Sequence, residues 1–202
     1  MMGRSHAITG GAAGLAIAHV TATGAAVAAA CWAAGSVAGL APDLCHPKAT
    51  IVRMLGPIGA VLCRIVRAIS RAVGLLAHRG ITHSAVVVVP VLTTALFAAL
   101  TAAAPDLAVP VAAAAGAGAL SALLGDWITL DSVRSLLWPL MRRTPGPPRW
   151  LRIRTGGGVE TKLIVPVLTV ATVALAAAVV IGWPAPAAWL AHLSMPQPPS
   201  PA

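Results

Sequence analysis

The stretch from His78 to Ser84, HRGITHS, holds two histidines five residues apart around an Arg-Gly step, and a long apolar run follows at once. On a continuous helix, side chains at i and i+5 diverge by roughly 140°, so both rings could not face one partner. Gly80 relieves this by breaking the helix between them. His78 is then left on a loop, and Thr82 or Ser84 caps the helix that His83 begins. A loop histidine and a first-turn histidine can converge at the mouth of a membrane helix. Such a pair would serve as two metal ligands, or as a ligand and a general base; its plainer use is as a polar cap on a membrane segment.

Other ionisable groups recur at the edges of apolar runs, where a membrane tolerates them poorly. They are His6, then Asp43, Cys45 and His46 in PDLCHP, Asp126 and Asp131 in GDWITLD, and Glu160 in TGGGVE. Imidazole mixed with carboxylate suits Zn²⁺, Mn²⁺ or Fe²⁺ better than Mg²⁺ alone. A metal held this way acidifies water and polarises an ester or phosphoryl oxygen, so hydrolysis is the reaction class the set most readily supports. The competing reading is a set of helix caps and buried hydrogen bonds.

The elements that must position these residues belong in a bilayer. Hydrophobic residues make up 58% of the 202-residue chain and charged residues only 9%, against about 25% charged in a soluble domain. The net charge of +9 is clustered. Apart from Arg4 and Lys162, the basic residues lie between Lys48 and Arg79 or between Arg134 and Arg154, as cytoplasmic loops do under the positive-inside rule. The charge therefore points to anionic phospholipid head groups rather than nucleic acid, for which no recognition motif accompanies it. Cys31, Cys45 and Cys63 form no disulfide framework, and Cys31 and Cys63 read as small apolar fillers.

Residues 1–40 predict a tight hairpin of two Ala- and Gly-rich helices with its break at Thr21 to Gly24. A secretory signal peptide is the alternative there. Arg4 precedes the apolar region, a lipobox-like AAAC ends at Cys31, and cleavage would remove His6. Arg64, Arg67 and Arg71 at helical spacing, opposite Val, Ile and Leu, predict an amphipathic helix in the headgroup plane. Apolar runs at about 84–104 and 108–127 predict a second hairpin turning at Pro105 and Asp106. Trp138 and Trp150 flank a basic, proline-rich interfacial loop. A last span runs from about Leu163 to Trp183, before a Pro-rich tail expected to be disordered, with His192 incidental in it. The fold class is thus an all-α integral membrane protein of about five transmembrane helices plus a basic interfacial helix. Residues 1–183 form one embedded domain and 184–202 the tail. With the N-terminus inside, every ionisable group above falls at the cytoplasmic face.

The ordered segments MMGRSHAITG, APDLCHPKAT, HRGITHS, GDWIT followed by LLWPL, and RTGGGVE resemble a bacterial family, the LexA-regulated, inner-membrane, predicted metal-dependent hydrolases. The resemblance runs to about residue 160. It implies a multi-span inner-membrane protein of the DNA damage response, with a hydrolytic metal site similar to that of zinc-dependent phospholipases. Carried over by motif, it implies His6, Asp43, His46, His78, His83, Asp126 and Glu160 as site residues. Two positions depart from the pattern. Cys45 stands where the family usually has an aspartate, and as a thiolate still suits zinc. Ala122, after Ser121, stands where the family commonly has a histidine one turn before the aspartate. The leading expectation is a hydrolase acting on a phosphoester or lipid-like ester. The histidines, Asp43, Cys45 and Glu160 surround the metal, Asp126 completes or orients the shell, His78, His83 and Asp126 serve catalysis, and Arg79 offers charge to a phosphate. A non-catalytic scaffold that has lost activity through Ala122 is the second reading. A small transporter is the third, weakened by the lack of paired broken helices with charge at mid-membrane.

Overall fold

The computed structural model describes residues 1–75 and 79–183, and among these the chain is helical with no strand. Helices α1 (Gly3–Val20) and α2 (Ala25–Leu40) form the first hairpin, with the expected break between them. A 3-10 turn (Ala41–Cys45) leads to the short α3 (Thr50–Met54) and to α4 (Gly56–Ala72). A second 3-10 turn (Ile81–His83) precedes α5 (Ala85–Ala103), and α6 (Pro105–Trp127) follows. A π-helical turn (Glu160–Ile164) opens α7 (Val165–Val180).

Small residues set the packing. Gly39 lies beside His6, Gly35 beside Gly10 and Gly14 beside Cys31, so α1 and α2 run antiparallel at close quarters. A Cβ on Gly118 of α6 would strike the Gly35 carbonyl. Helices can approach this closely in a membrane only where side chains are absent. Helix α6 is the pillar of the bundle, in contact with α1, α2 and α5. Leu15, Ala18, Ala28, Cys31, Val111 and Ala114 form its main buried cluster. No residue of α5 or α7 is fully buried; Val88, Leu92 and Leu96 of α5 and Leu175 of α7 pack partly buried against the core, and the outer apolar faces of both helices are left to lipid.

Among the described residues, four helical segments are long and apolar enough to cross a membrane: Ala25–Cys45, Ala85–Ala103, Pro105–Trp127 and Glu160–Val180. The fifth expected span, α1, is an 18-residue helix packed on α2, α6 and α7. Arg4, Ser5, His6 and His19 lower its apolarity, and it is not among the four.

The second hairpin is tighter than its sequence suggests. Pro105 is the first residue of α6 and Asp106 lies in its first turn, where a missing N–H costs nothing and a carboxylate favours the helix dipole. Only Ala104 separates α5 from α6. The final span likewise begins at Glu160 rather than near Leu163. On α4, Ile58, Leu62, Ile65 and Ile69 are exposed beside exposed Arg64 and Arg71, the pattern of a helix lying at a lipid surface. Burial pushes the Cys63 thiol pKa up, against the lowering influence of Arg67. The 184–202 tail with His192, and His78, lie outside the described residues.

Candidate metal centre

Asp126 closes the last turn of α6 and is 2% exposed. Its carboxylate gathers groups from distant parts of the chain. His6 Nε2 lies 3.3 Å from Oδ1 and His83 Nε2 lies 3.3 Å from Oδ2. The Met1 amino group also donates to Oδ1. Beneath it, Thr129 Oγ1 donates to the Asp126 carbonyl at 2.7 Å and pins the end of the helix.

His6, one turn into α1, is fully buried, and neither of its ring nitrogens makes a hydrogen bond. A buried polar atom left in that state is costly, on the order of 1–3 kcal/mol. Asp43, half-buried on the 3-10 turn after α2, completes a group in which one donor atom each from His6, Asp43 and Asp126 lies within 4.8 Å of the others. Donors around a tetrahedral divalent metal stand roughly 3.4 Å apart for bonds of about 2.0–2.2 Å. The three residues thus need side-chain adjustments of no more than about an ångström or so. An orphaned imidazole facing two carboxylates fits a borderline divalent metal.

His83 completes the other side. It lies in the 3-10 turn rather than in α5, and Ser84 is the N-cap, accepting from the Val87 N–H. The left-handed backbone position falls on Arg79, with φ 58°, and not on Gly80. The loop is held from outside. Ser135 Oγ donates to the carbonyls of Arg79 and Gly80, Ser84 Oγ to that of Trp138, and the Ala85 N–H to that of Leu136. Thr82 Oγ1 lies 3.3 Å from His83 Nδ1. Burial pushes the His83 pKa down, but hydrogen bonds with Asp126 and Cys45 outweigh it and leave the imidazole above its ordinary value. Cys45 is fully buried, with its thiol 3.5 Å from the Pro42 carbonyl.

A cavity of about 300 Å³ opens onto this group, lined by Met1, Asp43, His46, Arg79, Asp126 and Thr155 among others. His46 is exposed, and its Nδ1 accepts from the Lys48 N–H at 3.3 Å. Arg79 reaches across the mouth, donating from Nη1 to the Asp131 carbonyl at 2.7 Å.

Glu160 is not brought to the group. Its Oε1 accepts from the Met2 N–H and the Ser5 hydroxyl, at 2.8 and 2.6 Å, and its Oε2 from the Gly156 N–H at 2.7 Å. With both oxygens engaged, the expected ligand is a clamp that holds the start of α1 against the start of the last span. Ser5 and Thr129 were not singled out in the sequence, where nothing distinguishes them from other small hydroxyl residues, and Thr82, expected as an alternative cap, faces His83 while Ser84 takes the cap.

The model of the YdjM inner membrane protein family matches residues 1–195. The chain belongs to this family. No curated protein and no solved structure matches it. This YdjM-family member is accordingly an inner-membrane protein set in the lipid bilayer, with a His/Asp/Asp group able to hold a metal at one end of its bundle. Ala122 is fully buried on α6, one turn before Asp126, where it supplies packing.

Proposed function

We propose that this YdjM-family protein is a membrane-embedded, metal-dependent hydrolase acting on a phosphoester or lipid-like ester at the cytoplasmic membrane face. The observation that carries the reading is the buried, unbonded His6 imidazole set against Asp126, with Asp43 within 4.8 Å. His6, Asp43 and Asp126 would hold the metal, with His83 beside Asp126 as a further donor. Zn²⁺ suits the donor set, and Mn²⁺ or Fe²⁺ are compatible with it. When bound, such an ion supplies Lewis acidity towards an ester or phosphoryl oxygen and acidifies water.

The chain's own residues account for the remaining needs. Arg79 and His46 line the cavity, where a guanidinium can bind a phosphate group through two parallel N–H bonds. His83, when it is not bound to metal, would serve as the proton donor to a leaving group, its pKa raised by Asp126 and Cys45. His78 takes a catalytic role in this reading by its motif alone. The cytoplasmic orientation rests on the basic segments that flank the spans.

The test is elemental analysis of detergent-purified protein, followed by a panel of phosphoesters and lipids. Stoichiometric metal that Asp43→Ala or Asp126→Ala abolishes, with hydrolysis lost in parallel, supports the reading. Protein free of metal after purification without chelator and after incubation with Zn²⁺ or Mn²⁺ overturns it. Metal without turnover on any substrate favours the second reading, a non-catalytic scaffold of the same family, for which Ala122 is the specific observation. The LexA regulation and DNA-damage role implied by the sequence resemblance are tested separately, by whether transcript levels rise on DNA damage.

A further inference from the structure

The segment after α6 builds a second polar concavity, away from the carboxylates. A cavity of about 440 Å³ is lined by Arg134, Arg143 and Arg152 together with Ser132, Thr144 and Gly146. It is a built feature rather than a chance gathering of side chains. The Thr144 N–H donates to the Arg134 carbonyl at 2.8 Å, and Thr144 Oγ1 accepts from the Leu137 N–H at 2.9 Å. Arg152 Nε donates to the Pro147 carbonyl at 2.8 Å, which aims its guanidinium over Gly146. A Cβ at Gly146 would come within 2.8 Å of Arg152 Nη2, so the glycine leaves the room the guanidinium occupies. Beneath the cavity, Trp127 Nε1 donates to the Pro145 carbonyl at 2.9 Å, and Thr129 pairs with Ile153, tying both arms of the loop to the end of α6.

Three guanidinium groups converge here, and among the described residues none of them has a carboxylate within ion-pair distance. Their mutual repulsion calls for an anion, and arginine's planar fork matches phosphate oxygens. The same segment exposes large apolar side chains. Leu140 is 76% and Trp150 81% exposed, with Met141 and Leu151 also exposed. A soluble phosphate compound has no use for such a rim, whereas a molecule carrying phosphate at one end and acyl chains at the other does.

We propose that the Arg134, Arg143 and Arg152 cavity binds the phosphate of an anionic glycerophospholipid headgroup, with Leu140, Met141, Trp150 and Leu151 resting among the lipid's chains. This site goes beyond the hydrolase reading and does not depend on metal. It fixes one lipid on the protein whether or not chemistry follows.

The experiment measures phosphatidylglycerol retained by the full-length protein in detergent, by native mass spectrometry, with phosphatidylcholine as the uncharged comparison. Each basic side chain near an anionic lipid surface contributes about a fivefold preference. Arg134→Gln/Arg143→Gln/Arg152→Gln should therefore weaken phosphatidylglycerol retention roughly a hundredfold. Arg64→Gln/Arg71→Gln on α4 serves as the comparator for general attraction to charge and should lose clearly less retained lipid than the triple variant, because no cavity gathers its two arginines on one phosphate. Far-UV circular dichroism checks that the triple variant keeps its helicity, and Arg152→Lys, which keeps the charge and loses the fork, should fall between the extremes. Equal losses in the triple variant and the comparator overturn the proposal, as does retention unchanged in a helical triple variant. Displacement of the lipid by millimolar inorganic phosphate would assign the cavity to a soluble phosphate compound and overturn the lipid assignment.

Discussion

Replacing His6 by leucine separates a metal ligand from a structural histidine, because the two roles give opposite signs in the absence of metal. The imidazole is fully buried, its Nδ1 has no partner, and its Nε2 stands 3.3 Å from Asp126 Oδ1 outside hydrogen-bond geometry. An unsatisfied buried polar group costs about 1–3 kcal/mol, and a leucine fills much of the same space without that cost. In chelator, His6→Leu should therefore be as stable as the parent or more stable by up to about 3 kcal/mol. With metal the sign reverses. Structural zinc sites bind with about 10–16 kcal/mol spread over four ligands, so one ligand lost should weaken binding by roughly 3 kcal/mol, about a hundredfold. Thermal melts of purified protein with and without EDTA, read beside metal content, report both quantities. For a chain of this length each kcal/mol moves Tm by roughly 2–4 °C. A variant that keeps equimolar metal, or whose Tm shifts alike with and without EDTA, would refute the assignment of His6.

The pH dependence should also reverse with metal. The His83 pKa is raised in the metal-free fold, so its stabilising contribution is present below the ordinary histidine value near 6.5 and fades as pH rises through the folded value. Chelated protein should melt higher at pH 6 than at pH 8, and metal-loaded protein the other way round, since protons compete for the ligands; melts at both pH values decide it. Glu160→Gln removes charge from a carboxylate that accepts three hydrogen bonds. It should lower stability by about 2–4 kcal/mol while metal content stays at the parent's level, and loss of metal with unchanged stability would instead make Glu160 a ligand. Ala122→His puts an imidazole one turn from Asp126 in a tightly packed position. Overpacking should cost about 1–3 kcal/mol without metal, and metal affinity should rise at least tenfold by isothermal titration; affinity equal to or below the parent's would show that the position cannot reach the group.

What the sequence revealed and what it hid divide along a physical line. The α1–α2 break at Thr21 to Gly24, the Ser84 cap and the amphipathic character of α4 are local properties, decided by a few neighbouring residues, and they were legible. Asp43, His6 and Asp126 were readable as a set because ionisable groups at the ends of apolar runs are rare enough to attract notice. Glu160 was expected as a ligand, and in the fold its two oxygens accept from Met2, Ser5 and Gly156. Its engagement depends on where the first residues of α1 land, which no local pattern encodes. Pro105 looked like a turn residue, yet proline at a helix start is as much at home as in a turn, and only the packing of α5 on α6 decides between them.

The clamp of Glu160 on Met2 and Ser5 joins the two ends of the assembly line. Until α6 has been made, the growing chain carries His6 and Asp43 without Asp126, and the start of α1 has no Glu160 to hold it. A fragment ending before α6 therefore lacks the hub of the centre, and one ending before residue 160 lacks its latch. The donors that could hold an ion are therefore all present once α6 has been made, and the last span adds the clamp that fixes His6's helix in place.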